Sequence, residues 1–312
     1  MRALLRAALV LGTATAVAGA LAAARPGAVA DAAGGLAVQA GGRWVTFWRP
    51  ETAPVRWTGA SPLADRMTWR PGEGGLEWSE VVLRGAEEAW RTRIVVARLD
   101  PGRIQLSLAP AFVEDRRWTV GEAGGDAALA LDAGQFRGSL PWGWVVTDGH
   151  EILRPQYAPL AGAVVIDSSG AVRIVPPGGV ATAQARGGTR EAFQSYPMLL
   201  ENGVVPAPLS QPGLGVNVQH RDARLALGTL DDGRVVVALT RFDALGETLG
   251  RIPFGLTSQE MGAVMGALGC RQALLLDGGI SGQLMVRDAE GAERSWPGTR
   301  SVPLGLIGRV RR

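Results

Sequence analysis

The chain has 312 residues, enough for one large or two modest domains with a packed core. Its 32 basic residues are all arginine, which excludes Schiff-base, pyridoxal-phosphate and P-loop chemistry, each of which needs a lysine. One cysteine, Cys270, and two histidines, His150 and His220, exclude an internal disulfide and a three-histidine zinc site.

The first segment opens Met1-Arg-Ala-Leu-Leu-Arg and continues as an alanine-rich apolar run to about Ala24. Small residues suited to signal peptidase follow, so residues 1–25 are expected to be a signal peptide and the protein to be exported, periplasmic or extracellular. The net charge of +3 is supplied by Arg2, Arg6 and Arg25, which leaves the remainder neutral. No basic run with interleaved aromatics exists, so no nucleic-acid partner is expected, and no membrane contact beyond the signal segment.

Residues 26–76 are rich in Gly, Pro and Ala and carry Trp44, Trp48, Trp57 and Trp69. The part to about Gly42 reads as a flexible spacer, and the tryptophans predict that the rest docks on the main domain. From Glu77 to Arg312 the pattern is dense with strands. Asp100-Pro-Gly between Thr92–Leu99 and Arg103–Ala109, Asp167-Ser-Ser-Gly between Ala161–Ile166 and Ala171–Val175, and Asp231-Asp-Gly between Leu225–Leu230 and Arg234–Thr240 predict three hairpins. Trp142 and Trp144 lie two apart on one strand and share a side, so only one face of the pair can be buried with the core; core packing is the expected role, and sugar stacking the alternative.

Thr257-Ser-Gln-Glu260 is a capping box, followed by Met261, Val264, Met265 and Leu268 at helical spacing, with Gly269 as a stop. This predicts a helix over 258–268 packed on a sheet. Cys270 reads as a small buried hydrophobe. The unit from Arg234 to Leu276 is then strand, helix, strand. The expected fold class is α+β: mixed or antiparallel β-sheets with packed helices in a single main domain over 77–312.

Asp277 follows the apolar run Ala273–Leu276 and precedes Gly278 and Gly279. A carboxylate at the carboxyl end of a strand is poorly placed for packing and well placed for chemistry, and glycines let main-chain amides approach a ligand. Asp132 likewise ends an apolar run, before Ala133-Gly134. If the two converge, they form a carboxylate pair suited to glycoside chemistry. Ser281 lacks the surroundings of an activated nucleophile.

Four blocks resemble the phosphodiester glycosidase family. They are Ala130-Leu-Asp-Ala-Gly-Gln-Phe136 with Trp144-Val-Val-Thr-Asp-Gly149; Gln194-Ser-Tyr-Pro-Met-Leu-Leu200; Arg224-Leu-Ala-Leu-Gly228; and Leu268-Gly-Cys-Arg-Gln-Ala-Leu-Leu-Leu-Asp-Gly-Gly-Ile-Ser281. Their order and spacing agree over roughly residues 78–310. Asp132 stands where the family has Asn, Gln135 where it has an aromatic residue or Met, and Tyr196 where it has Gly.

The resemblance implies an enzyme that cleaves the anomeric bond of a sugar-1-phosphodiester, here in an envelope glycan. It makes Asp277, Arg224 and Asp132 the catalytic candidates, with the Arg224 fork suited to phosphate. Gly278, Gly279, Ser281, Gln194, Ser195 and His220 are the substrate-binding candidates. The partner is a glycan or sugar phosphate. No cofactor is firmly implied; a divalent-cation-dependent phosphodiesterase, with Asp132, Asp148 and Asp277 as oxygen ligands, is one alternative. A non-catalytic glycan-binding or envelope-assembly domain, motivated by the changes at Asp132 and Tyr196, is another.

Overall fold

A computed structural model describes residues 35–52, 56–58, 61–89, 91–209, 217, 220–243 and 254–312. The expected signal peptide lies outside these residues. Almost all regular structure is antiparallel β-sheet. The largest sheet has nine strands. From one edge it runs Met198–Leu200, Gln272–Leu275, Leu225–Thr229, Val235–Phe242, Thr92–Leu99, Glu77–Arg84, Leu36–Ala40 and Arg43–Trp48, with Arg70–Pro71 beside Glu77–Arg84. A second sheet centres on Thr189–Ser195 and Gly162–Asp167, and a third on Ala127–Asp132 and Gly305–Val310.

The large sheet is covered on both faces, which explains its uninterrupted apolar strands. On Val235–Phe242, Val235, Val237 and Leu239 join a core shared with Leu129 and Leu131 of the third sheet and Val164 and Phe193 of the second. Val236 and Ala238 point the other way, into a core with Met261, Val264, Met265 and Leu63. Strand periodicity thus sends alternate residues of one segment into two different interiors.

The hairpins Gly162–Asp167/Val172–Val175 and Leu225–Thr229/Val235–Phe242 form as predicted. The Asp100-Pro-Gly hairpin does not. Its turn is made, with Gly102 N–H donating to Asp100 Oδ1 at 2.8 Å. However, Thr92–Leu99 already has Val235–Phe242 on one edge and Glu77–Arg84 on the other. No edge is left for Ile104–Ala109, which pairs with Gly305–Val310 in the third sheet. The turn is a corner between sheets.

Helices are fewer than expected: among the described residues the α-helices are Val180–Arg186 and Ser258–Ala267. In the second, the Thr257 hydroxyl accepts from Glu260 N–H at 3.1 Å and the Glu260 carboxylate accepts from Thr257 N–H at 2.9 Å. Cys270 N–H donates to Met265 O at 3.0 Å and Gly269 N–H to Gly266 O at 2.9 Å, a Schellman closure. The helix is buried on nearly all sides rather than along a stripe, because Leu63, Leu209 and Trp57 pack in the same cluster. The strands flanking it run parallel but do not pair; Leu225–Thr229 lies between them, antiparallel to both. Cys270 is buried, and burial pushes its thiol above the ordinary range, as suits a hydrophobe.

The stretch to Gly42 is not a spacer from Leu36 onward. Leu36–Ala40 and Arg43–Trp48 form a hairpin that extends the large sheet, with Leu36, Val38 and Trp48 in the core. Alternation over Leu36-Ala-Val38 was the available signal, masked by the glycines around it. The tryptophans pack as predicted: Trp44 lies under the Arg84 guanidinium, 4.5 Å from its ring centroid, and Trp69 under that of Arg98 at 4.1 Å. No helix among the described residues is long and apolar enough to cross a membrane.

Candidate functional site

The carboxyl ends of three strands, one from each sheet, meet at one place. Asp132 ends the strand of the third sheet, Ser195 that of the second, and Asp277 lies just beyond Gln272–Leu275 of the largest. The loop after Asp132 stitches them together. Asp277 N–H donates to Gly134 O at 2.9 Å, and Gln135 Nε2 donates to Leu276 O at 3.1 Å and Tyr196 O at 3.4 Å. Ser195 Oγ donates to Leu275 O at 2.6 Å.

Asp132 is 1% exposed. Its Oδ1 accepts from Gln283 N–H at 2.9 Å, while Oδ2 is buried with no hydrogen-bond partner among the described residues. Burial, reinforced by the Asp277 charge, raises this carboxyl well above the ordinary aspartate range. Asp277 is only partly buried. Burial pushes its carboxyl up to about 6, against the Ser281 hydroxyl and the Arg300 charge, which favour the ionised form. Burial thus raises both carboxyls, and the Asp277 charge further disfavours ionisation of Asp132.

The Gly278–Gln283 loop is folded on itself. Gly279 N–H donates to Ala223 O at 2.7 Å, and Ser281 and Gly282 N–H both donate to Gly278 O at 3.0 Å. Together with Gln283, these amides are spent internally and do not form an open cradle. The two glycines serve close packing instead. A Cβ on Gly278 would lie 2.3 Å from Ala223 O, and Gly279 has φ +56° with the Asp222 carboxylate 2.8 Å from where a Cβ would be. Ser281 is buried and holds Asp277 through its hydroxyl.

Arg224 sits behind this loop, but its guanidinium is turned away from an open phosphate site. Nε donates to Leu256 O at 2.7 Å and Nη2 to His220 O at 2.5 Å. Its burial, at 8% exposure, fits a brace for the 220–224 segment. His220 is exposed, with Nε2 3.5 Å from Asp222 Oδ2. Gln194 is likewise occupied: Oε1 accepts from Trp144 and Gln156 N–H, both at 2.8 Å, and Nε2 donates to Gln156 O at 3.0 Å. Gln194 and Ser195 therefore hold the fold around the site and present no free sugar contact.

Three residues were missed. Asp222 lies against Gly279 with its carboxyl raised by burial. Arg241, buried in the large sheet, donates through Nη2 to Gly282, Trp296 and Pro297 carbonyls, and its charge favours ionised Asp132. Arg300 reaches toward Asp277 from a loop more than twenty residues on. Only Asp222 had a local cue, its closeness to His220 and Arg224. The rim carries Trp142 and Tyr196, in edge contact at 5.2 Å between ring centroids, with Tyr196 and Ile280 exposed. Trp144 is core, its Nε1 donating to Glu151.

Asp148, a ligand in the divalent-cation alternative, is elsewhere: it sits in the exposed turn before His150–Leu153 and faces Glu191. Among the described residues no three His, Cys, Asp or Glu side chains are arranged to hold a metal ion.

The family model for phosphodiester glycosidase matches residues 124–307. No curated protein matches the chain. Among solved structures, the zebrafish N-acetylglucosamine-1-phosphodiester alpha-N-acetylglucosaminidase catalytic domain, auto-inhibited by its pro-peptide, is similar with a TM-score of 0.59 and 14% identity, over 84% of this chain and 97% of that one. A hypothetical protein from Synechocystis is similar with a TM-score of 0.52 and 15% identity, over 76% of this chain and 62% of that one. At such identities the structural likeness concerns the fold, and the family match covers the strands that bring Asp132, Ser195 and Asp277 together. The chain belongs to the phosphodiester glycosidase family.

Proposed function

We propose that this protein is an exported hydrolase that cleaves the anomeric bond of a sugar-1-phosphodiester in an envelope glycan. The observation that carries the reading is the buried carboxyl pair, Asp277 and Asp132, at the meeting point of three strand ends in a chain of this family. The basic start and alanine-rich run of residues 1–25 support export.

In the reaction the C1–O bond breaks, the phosphate departs with the electron pair, and a water oxygen bonds to C1 and releases a proton, leaving free sugar and a phosphomonoester. Positive charge develops at the anomeric centre. Ionised Asp277 supplies the opposing charge, in a site where partial exclusion of water strengthens it. A phosphate is already a good leaving group, so a strong general acid is not required. Asp132 accepts from Gln283 with one oxygen, and burial raises its carboxyl, which favours the protonated form. An asparagine amide also offers one acceptor and one donor, which accounts for Asp at this position. Arg224 acts as a positioning residue, holding the segment against which Gly278 and Gly279 pack.

The test is hydrolysis of a panel of sugar-1-phosphodiesters, with products identified. Free sugar plus a phosphomonoester, lost in Asp277→Ala, is the expected result. Sugar 1-phosphate would refute the glycosidase. No product across the panel, with saturable glycan affinity, would make the protein a binding domain.

A further inference from the structure

We propose that Arg300 and Arg117, gathered around the Phe136 ring, form an anion subsite that takes the phosphoryl group of a diester substrate. The proposal rests on the glycosidase reading only for what that phosphoryl group is attached to.

Most arginines near the site are occupied. Arg224 and Arg241 donate to main-chain carbonyls, and Arg221 is forked onto Glu260. Arg300 and Arg117 differ. The Arg300 guanidinium lies 4.8 Å from the Phe136 ring centroid and that of Arg117 5.6 Å from the same centroid. Neither guanidinium has a hydrogen bond or ion pair to protein among the described residues. Arg117 Nη1 is buried from solvent and still has no acceptor, which is costly unless a ligand supplies one. Arg300 is exposed, and its N–H donates to Ile280 O at 3.1 Å, which ties it to the loop that follows Asp277.

Charge explains the placement. A phosphodiester approaching ionised Asp277 meets like charge. The field of Arg300 reaches Asp277, and Arg300 is exposed. Two guanidinium forks supply donors matched to phosphoryl oxygens. Gln135 also meets an aromatic pair: the Trp142 main-chain N–H donates to Gln135 O at 2.7 Å, and the Trp142 ring contacts that of Tyr196. This aromatic pair gives a face for a sugar ring. The substrate then lies with its sugar toward Tyr196, its phosphoryl group toward Arg300, and the anomeric carbon between them at Asp277.

Titration of the full chain with dimethyl phosphate, a diester with no sugar, tests the subsite. The wild type should bind saturably, Arg300→Gln should weaken binding about tenfold, and adding Arg117→Gln should weaken it further. Arg186→Ala, on a distant exposed helix end, should bind as the wild type. Arg300 is exposed, so its variant stays informative even if Arg117→Gln does not fold. In turnover, Arg300→Gln should raise KM for a sugar phosphodiester. Loss of dimethyl phosphate binding without turnover of any phosphodiester by the wild type would keep the subsite and defeat the glycosidase. Turnover by the wild type with KM and anion binding unmoved in Arg300→Gln would defeat the subsite and keep the glycosidase. A wild type that binds no dimethyl phosphate would also overturn it.

Discussion

The two ends of the large sheet treat carboxylates in opposite ways. At the end where Leu225–Thr229 turns into Val235–Phe242, Asp232 and Glu77 each have a cation. Arg234 Nη2 is 2.6 Å from Asp232, whose carboxyl it holds below the ordinary range, and Arg98 Nη2 is 2.7 Å from Glu77. A cavity of about 460 Å³ opens there, lined by Trp69, Glu77, Arg98, Arg103 and Arg234. At the Asp277 end, three carboxyls are raised by burial, and the nearest buried arginines are spent on carbonyls. Paired charges at a surface contribute little energy and little reactivity. Unpaired buried ones are a cost to the fold, and such costs gather where chemistry is done. By this measure the end that carries this cavity is the quieter end of the sheet.

The comparison can be broken most directly at Asp277. Asp277→Asn should lower kcat on a sugar phosphodiester by about 100- to 10,000-fold, the range for a positioned carboxylate. An unchanged rate would place the chemistry elsewhere. The same variant should gain stability. A carboxyl moved from 3.8 to about 6 binds its proton more tightly when folded, so its contribution is full below about pH 4 and lost as pH rises past 6. At pH 8 Asp277→Asn should therefore exceed the wild type by about 3 kcal/mol in denaturant melts, with the gap closing toward pH 4. Asp132→Asn should shift stability in the same direction and, by keeping one donor and one acceptor, retain turnover.

Arg224→Lys comes next. An ammonium cannot reproduce donors to both Leu256 and His220, and a loss of about 1.5–3 kcal/mol is expected, with kcat affected through the loop. The smallest effect belongs to the other end. Arg234→Ala removes an exposed pair, should cost within about 1 kcal/mol, and should leave kcat as it was. A large activity loss there would erase the contrast between the ends.

Legibility in the sequence followed the range of each signal. The capping box at Thr257, the stop at Gly269 and two of the hairpins are written within a few residues, and they form as read. The Asp100 turn was equally local, but which strand accepts a new neighbour depends on edges filled by residues 77–84 and 235–242. Asp132 and Asp277 were found because an acid ending an apolar run is conspicuous. The expectation rested on ligand sites in parallel sheets. The sheets here are antiparallel, and the ends coincide because three of them meet. Side-chain direction was beyond reach: Arg224 carried the family block but points at carbonyls, while Arg117 and Arg300 carry no local signature at all.

Arg241 has a mechanical consequence. One guanidinium nitrogen holds the carbonyls of Gly282, Trp296 and Pro297, while Thr299 N–H donates to Ile280 O at 2.8 Å. The loops 278–283 and 296–300 are thereby clasped as one lever with a buried fulcrum. They should open together or not at all, so the amides of Gly282 and Thr299, on separate loops, would exchange with solvent at a common rate.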